Sequence, residues 1–396
     1  MTSTSHTHFF SRDAQSFRPS AIRAFAKLIN DPNIISFAGG VPNPDTFPAE
    51  CIAEIAQRVI RDRRWVSLQY GPTRGLPRLC ESIATICVAR GMVDCVADDV
   101  LTTTGSQQAL DLIAHTFLDP GDVVAVELPT YIGGSASFFG RSAELAGVAQ
   151  DDEGIVPESL RELASTRRIK LLYTIPNFQN PSGRLMTQAR RAAVLELAEE
   201  FDFLVIEDDP YGELVYVPGA DTLAMKSRDA NGRVLYLGSF SKVLAPGLRC
   251  GWIVAAKPLL ERLEIAKQAA DLCSGMLDQS IVDELIIDGE LAPQIGRVRD
   301  FYRGKRGILI EELDRHFRGK AQWTPADGGL FTFVTMNENV DTAARINDAV
   351  ANGVAYIPGR PFFVDGSGAN TMRLTFAKES DDRIREGVAR LARVFG

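Results

Sequence analysis

Histidine is scarce in this chain, with four in 396 residues, and two of these, His6 and His8, lie close to the start. So few imidazoles argue against a histidine-built metal site. Long apolar runs are missing as well: no stretch approaches the length of a membrane span, and the polar opening "MTSTSHTHFFSRDAQSFRPS" lacks the apolar centre of a secretory leader. Positive charge is in deficit. A net charge of -8 disfavours nonspecific binding to a nucleic-acid backbone, which needs a basic stripe. Repeats, low-complexity linkers and long charge blocks are absent too. The six cysteines, Cys51, Cys80, Cys87, Cys95, Cys250 and Cys273, make neither a CxxC knuckle nor a short-chain disulfide framework, and read as reduced, mostly buried thiols. A cytoplasmic protein with no nucleic-acid or membrane partner is expected.

What is present suits a soluble globular protein: 45% hydrophobic and 24% charged residues, in a length that accommodates one large domain and a smaller one. In "SAIRAFAKLIN", residues 20–30, Ile22, Phe25, Ala26 and Ile29 recur at helical spacing behind Ser20, which predicts a short amphipathic helix. The following "IISFAGGVPNPDTFP" has loop chemistry. From about residue 100, short apolar runs alternate with helical patterns: "DVLTTTG", "DVVAVELP", "IKLLYTIP", "FLVIEDDP", "VLYLGSF" and "CGWIVAA". Such alternation predicts an α/β fold with a largely parallel sheet covered on both faces. Ligands of such sheets gather at the carboxyl ends of the strands.

The residues at those ends form an unusual set. Ser106 and Gln107 open a helix after "DVLTTTG", and a helix start can hold an anion, although a serine there also serves as a plain cap. Tyr131 begins a loop, where an aromatic can pack or stack on a ligand. Asn177 and Asn180 fall in the turn "NFQNPSG", a common place for asparagine. Glu207, Asp208 and Asp209 crowd one strand end with Tyr211 close behind; they could bind a metal, or one buried carboxylate could oppose a cation. "LGSFSKVLAPGLRCGWI" then places Ser239, Ser241 and Lys242 at a strand end and Arg249 seven positions on. A lysine near other cations or out of water has a depressed pKa and becomes an amine nucleophile. An arginine fork suits phosphate. Taken singly each feature is weak; together they describe a site for a phosphorylated aldehyde with a basic ring nitrogen, pyridoxal 5′-phosphate.

The motifs "ISFAGGVPNPDTFP", "LQYGPTRGLPRL", "TTGSQQALDLI", "PNFQNPSG", "EDDPYGEL", "GSFSKVLAPGLRCGW" and "MRLTFA" occur in order through nearly the whole chain. In them the sequence resembles the fold-type I, class I/II aminotransferases, in particular the branch containing 2-aminoadipate and kynurenine aminotransferases. It departs mildly in having "PSG" where many members have "PTG". The resemblance implies a large domain with a mostly parallel seven-stranded sheet and a smaller α+β domain, divided as an N-terminal arm 1–47, a cofactor domain 48–295 and a small domain 296–396.

It further implies that Lys242 forms the Schiff base with the cofactor and carries the substrate's α proton. Asp208 would pair with the ring nitrogen, and Tyr211 and Asn180 would hold the phenolic oxygen. Ser106, Gln107, Ser239, Ser241 and Arg249 would bind the phosphate, with Tyr131 stacked on the ring. Arg373 would take the substrate α-carboxylate, with Gly40 letting the N-terminal loop approach closely. Tyr70 would reach into the neighbouring site of a homodimer. Arg23 would meet an acidic substrate side chain. The expected reaction is ping-pong transamination between glutamate/2-oxoglutarate and 2-aminoadipate, a leucine-like or an aromatic amino acid. The alternatives are a β-eliminating lyase, which uses the same cofactor electronics, and a valine or alanine–pyruvate type aminotransferase. Transcription regulators with an aminotransferase-like body form a non-enzymatic alternative, disfavoured by the acidic charge and by the position of the "FAGG" loop.

Overall fold

The structure, a computed structural model, describes residues 31–396 together with residues 6–11, 14, 15 and 17. The helix expected over 20–30, with Arg23, lies outside the described residues. In chain order the strands are β1 (Ile35–Ser36), β2 (Val100–Thr104), β3 (Val123–Leu128), β4 (Glu144–Asp151), β5 (Gly154–Ile155), β6 (Ile169–Thr174), β7 (Leu204–Asp209), β8 (Val234–Ser239), β9 (Cys250–Val254), β10 (Ala321–Trp323), β11 (Phe331–Met336), β12 (Val354–Ala355), β13 (Ile357–Pro358) and β14 (Thr371–Thr375).

The large sheet runs β2-β9-β8-β7-β6-β3-β4-β5. The expected seven strands are all there, and the two-residue β5 adds an eighth by folding back antiparallel on the edge strand β4. Only β5 and β9 oppose the others in direction. The central strands are apolar on both sides because both sides are covered. Val124, Leu171, Ile206 and Leu235 face one core with the helix Gly105–Phe117, while Ala125, Leu172, Val205 and Val234 face a second with Leu160, Val194 and Leu197. In each strand the two sets occupy successive positions (124 and 125, 171 and 172, 205 and 206, 234 and 235), so the two-residue period separates the cores.

A second sheet, β10-β11-β14-β13, is antiparallel. The strand β1 pairs in parallel with β12, which ties the chain at residues 35–36 to this C-terminal unit. The Ser36 amide reinforces the tie by donating to Glu379 at 2.9 Å. The helix Leu291–Phe317 runs unbroken through position 295/296, where the domain division was expected. Among the described residues no helix is long and apolar enough to cross a membrane. All six cysteines are free thiols, three of them buried.

Beneath the strand ends lies a buried polar scaffold. Arg191, wholly buried, donates to Met186 O at 3.0 Å, Leu223 O at 2.8 Å and Asn177 Oδ1 at 2.7 Å, and lies 3.8 Å from the equally buried Glu207. Removing the cation leaves the carboxylate and several carbonyls without their partner. Arg191→Met is therefore expected to lower the unfolding free energy by roughly 3–5 kcal/mol, read as a lower denaturation midpoint; an unchanged midpoint would show that the scaffold is dispensable.

Candidate active site

Strand periodicity sorts the three acids at the end of β7. Glu207 accepts from the amides of Met225 and Lys226 at 2.7 and 2.8 Å, and Asp209 accepts from Arg90 at 2.6 Å, Asn177 at 2.9 Å and Tyr236 at 3.1 Å. Asp208 alone lines a cavity of about 300 Å³ at the carboxyl edge of the sheet. The Tyr173 hydroxyl donates to its Oδ2 at 3.0 Å, and its Oδ1 has no partner among the described residues. Burial pushes the Asp208 carboxyl up to about 7; the Tyr173 hydrogen bond opposes that rise, Asp209 adds to it and Lys242 opposes it.

Around the start of the helix Gly105–Phe117 the cavity is built for an anion. Ser106 lies in the first turn with its buried Oγ unpartnered, so it does not cap the helix. Gln107 is held by its amide on Gly133 O at 3.1 Å and Ser137 Oγ at 2.9 Å. Ser239 and Ser241 join through their hydroxyls at 3.0 Å. Arg249, in the left-handed region with φ of 46°, donates to Thr104 O at 3.1 Å. Gly105 allows this approach: it has φ of 72°, and a Cβ there would fall 2.5 Å from the Arg249 guanidinium. A helix start with its dipole, three serine hydroxyls and an arginine fork are what a phosphate needs.

Lys242 follows β8 on the cavity wall. Its removal from water draws the ammonium down to about 8; Asp208 opposes that fall, while Arg249 and Arg373 add to it. Tyr131 and Tyr211 line the same space, and burial raises the pKa of both phenols.

Arg373 is buried, and so is every other residue of β14, which is covered on both faces and not half-buried as the alternation around Leu374 and Phe376 suggests. Its guanidinium sits 4.3 Å from the ring centre of Phe331 and 5.2 Å from that of Phe362, donates to Asn180 Oδ1 and Ala38 O at 2.9 Å each, and keeps Nε unpartnered. Burial lowers it to about 10. A Cβ on Gly40 would come 3.1 Å from Phe331 and 3.6 Å from Arg373, so glycine permits the expected close approach of this loop.

All of the expected site residues within the described part except Tyr70 therefore meet in one cavity. Tyr70 is 77% exposed and does not line it. Asn177 belongs to the buried scaffold. Val41, Leu110, Ile175 and Pro210 also line the cavity, and Tyr173 supports Asp208 from behind; none of these five stands out in the sequence. Tyr173 left one signal: a tyrosine inside "IKLLYTIP" must find a partner for its hydroxyl if the strand is buried.

Residues 32–391 match the family model "Aminotransferase class I and II". The chain belongs to the class I and II aminotransferases. It is 42% identical to aromatic-amino-acid aminotransferase 1 of Thermococcus litoralis, over 97% of this chain and 93% of that protein. It is 38% identical to the 2-aminoadipate transaminase of Thermus thermophilus, over 99% and 98%. The crystal structure of a kynurenine aminotransferase from Pyrococcus horikoshii superposes with a TM-score of 0.93 at 40% identity, covering 98% of this chain and 97% of that one. The enzyme is thus a fold-type I aminotransferase, and its cofactor is pyridoxal 5′-phosphate.

The donor set of the cavity fits that group: an unpaired carboxylate oxygen suits a protonated ring nitrogen, an unpartnered serine at a helix start suits phosphate, and a lysine of lowered pKa suits an aldehyde. Because only the neutral amine is nucleophilic, its reactive fraction grows as pH rises through the folded value. Acylation of Lys242 in cofactor-free enzyme, followed by mass spectrometry of its peptide, should have its midpoint near pH 8; a midpoint above 10 would place the amine in bulk water.

Proposed function

We propose that this aminotransferase works in two half-reactions through one pocket, exchanging an amino group between glutamate/2-oxoglutarate and 2-aminoadipate, a leucine-like or an aromatic amino acid. The carrying observation is Arg373: a buried guanidinium with an unpartnered Nε, opening on the same cavity as the Lys242 amine. A carboxylate on Arg373 and Asn180 positions an α-amino acid as a whole, whatever its side chain. The names of the relatives support both an aromatic and an aminoadipate partner.

Bound pyridoxal 5′-phosphate supplies an aldehyde that condenses with amines and a ring that delocalises the electrons of a carbanion. The residues divide the remaining work. Lys242 would hold the cofactor through its amine and, once the substrate's amine has displaced it, would serve as the base that takes and carries the substrate α proton. Asp208 would keep the ring nitrogen protonated through its unpartnered Oδ1, while Tyr173 holds Oδ2. Tyr211 and Asn180 would hold the phenolic oxygen. Ser106, Gln107, Ser239, Ser241 and Arg249 would bind the phosphate, and Tyr131 would stack on the ring.

The described cations of the cavity, Lys242, Arg249 and Arg373, are all engaged in this scheme. An acidic side chain needs another, and Arg23 is the residue we assign to it. Tyr70 enters the neighbouring site of a homodimer; its exposure, beside exposed Trp65 and Leu68, supports that reading. The division 1–47, 48–295 and 296–396 is kept as the domain plan, with the helix Leu291–Phe317 crossing from the second unit to the third, and six free thiols fit a reducing cytoplasm.

Single amino acids added to the purified enzyme should shift the cofactor's absorbance band, and 2-oxoglutarate should reverse the shift. Release of pyruvate and ammonia from a cysteine-type substrate would point to β-elimination instead. Arg373→Leu is expected to cut kcat/KM about a hundredfold for every substrate, on the order of 3 kcal/mol. Arg23→Ala should raise KM about tenfold for glutamate and 2-aminoadipate, on the order of 1.4 kcal/mol, while leaving phenylalanine within threefold. Equal effects on acidic and aromatic substrates would remove Arg23 from the specificity scheme.

A further inference from the structure

At the end of β3 lies a buried carboxylate that the scheme above does not use. Glu127 is 1% exposed and its partners are all neutral: Thr174 Oγ1 donates at 2.5 Å, Ile175 N at 3.3 Å and Gln179 Nε2 at 2.8 Å. A buried carboxylate without a cation is costly, so its position calls for a reason. All three donors belong to the end of β6 and the loop that follows, which carries Asn180.

Gln179 is the latch of that loop. Its Nε2 also donates to Pro129 O at 2.6 Å, just beyond β3, and its Oε1 accepts from Ser182 N at 2.8 Å. Its main chain closes the turn, with the amide donating to Arg184 O at 2.9 Å and the carbonyl accepting from Gly183 N at 2.6 Å. A carboxylate only accepts and a backbone N–H only donates. Glu127 and Ser182 therefore fix which way the Gln179 amide points. Asn180 follows directly, and its Oδ1 receives Arg373 at 2.9 Å.

We propose that Glu127 and Gln179 are positioning residues of this enzyme, latching the loop to β3 so that Asn180 presents its oxygen to Arg373 and the pair holds the substrate carboxylate. The proposal rests on the reading of Arg373 and Asn180 as the carboxylate site. Asn180 also faces the cofactor's phenolic oxygen in that scheme, but the phosphate groups, Asp208 and Lys242 lie on other elements, so the latch acts on substrate binding more than on cofactor affinity.

The test compares holoenzyme variants with L-glutamate and L-phenylalanine as donors. Gln179→Glu sets two carboxylates face to face and should raise KM for both donors at least about tenfold, the loss of one hydrogen bond to a charged group. Cofactor affinity should stay within threefold. The reversed pair, Glu127→Gln with Gln179→Glu, again matches a donor with an acceptor between the two side chains, while Pro129 O and Ile175 N lose their partners, and should bring KM part of the way back. Should the single variant fail to fold, Gln179→Met, which removes the amide without adding charge, must show the same rise in KM. An unchanged KM, a reversed pair no better than the single variant, or cofactor affinity falling in step with KM would each overturn the proposal. The outcomes separate: Arg373→Leu with unchanged KM overturns the reading of the carboxylate site, whereas unchanged KM in Gln179→Glu beside an impaired Arg373→Leu overturns the latch alone.

Discussion

A carboxylate taken out of water must find donors or a cation, and at the end of β7 Asp208 has one hydroxyl and one empty oxygen. Much of the surrounding structure follows from keeping that oxygen available. Tyr173 comes from the neighbouring strand β6 and occupies Oδ2, so the side chain is held with Oδ1 toward the cavity. The acids on either side are diverted to the other face, where Arg90 and the amides of Met225 and Lys226 satisfy them. Had either been left unpaired near Asp208, like-charge repulsion would push the site's carboxyl further toward its neutral form.

Opposite this acid stand Lys242, Arg249 and Arg373, each made useful by a different environment. Lys242 loses hydration and with it part of its basicity, which is what an amine nucleophile needs at neutral pH. Arg249 stays at the rim, in reach of the helix start. Arg373 gives up a carboxylate neighbour and lies between two aromatic rings, whose faces stabilise a guanidinium without neutralising it. Its charge is therefore left for a ligand.

The loop between β6 and the helix Gln188–Glu200 connects these parts. Ile175 lines the cavity, Gln179 fastens the loop to β3, and Asn180 bridges to Arg373 on the other sheet. A single segment thus couples the large sheet to the C-terminal unit at the proposed carboxylate site.

Apolar runs ending in Gly, Ser, Asp and Lys were enough to establish an α/β sheet and to mark its functional edge, because strand length and turn chemistry are local properties written in consecutive residues. Motif order carried the family, and with it most of the cavity. The sequence could not say which of three adjacent acids enters the cavity, since that depends on the strand's rotation about its axis and on what packs against each face. Nor could it pick out Glu127, Gln179 or Tyr173, whose polar groups are ordinary until burial removes water and leaves each with a particular partner. Burial and partner are properties of chain segments far apart in sequence, and only the tertiary fold brings them together.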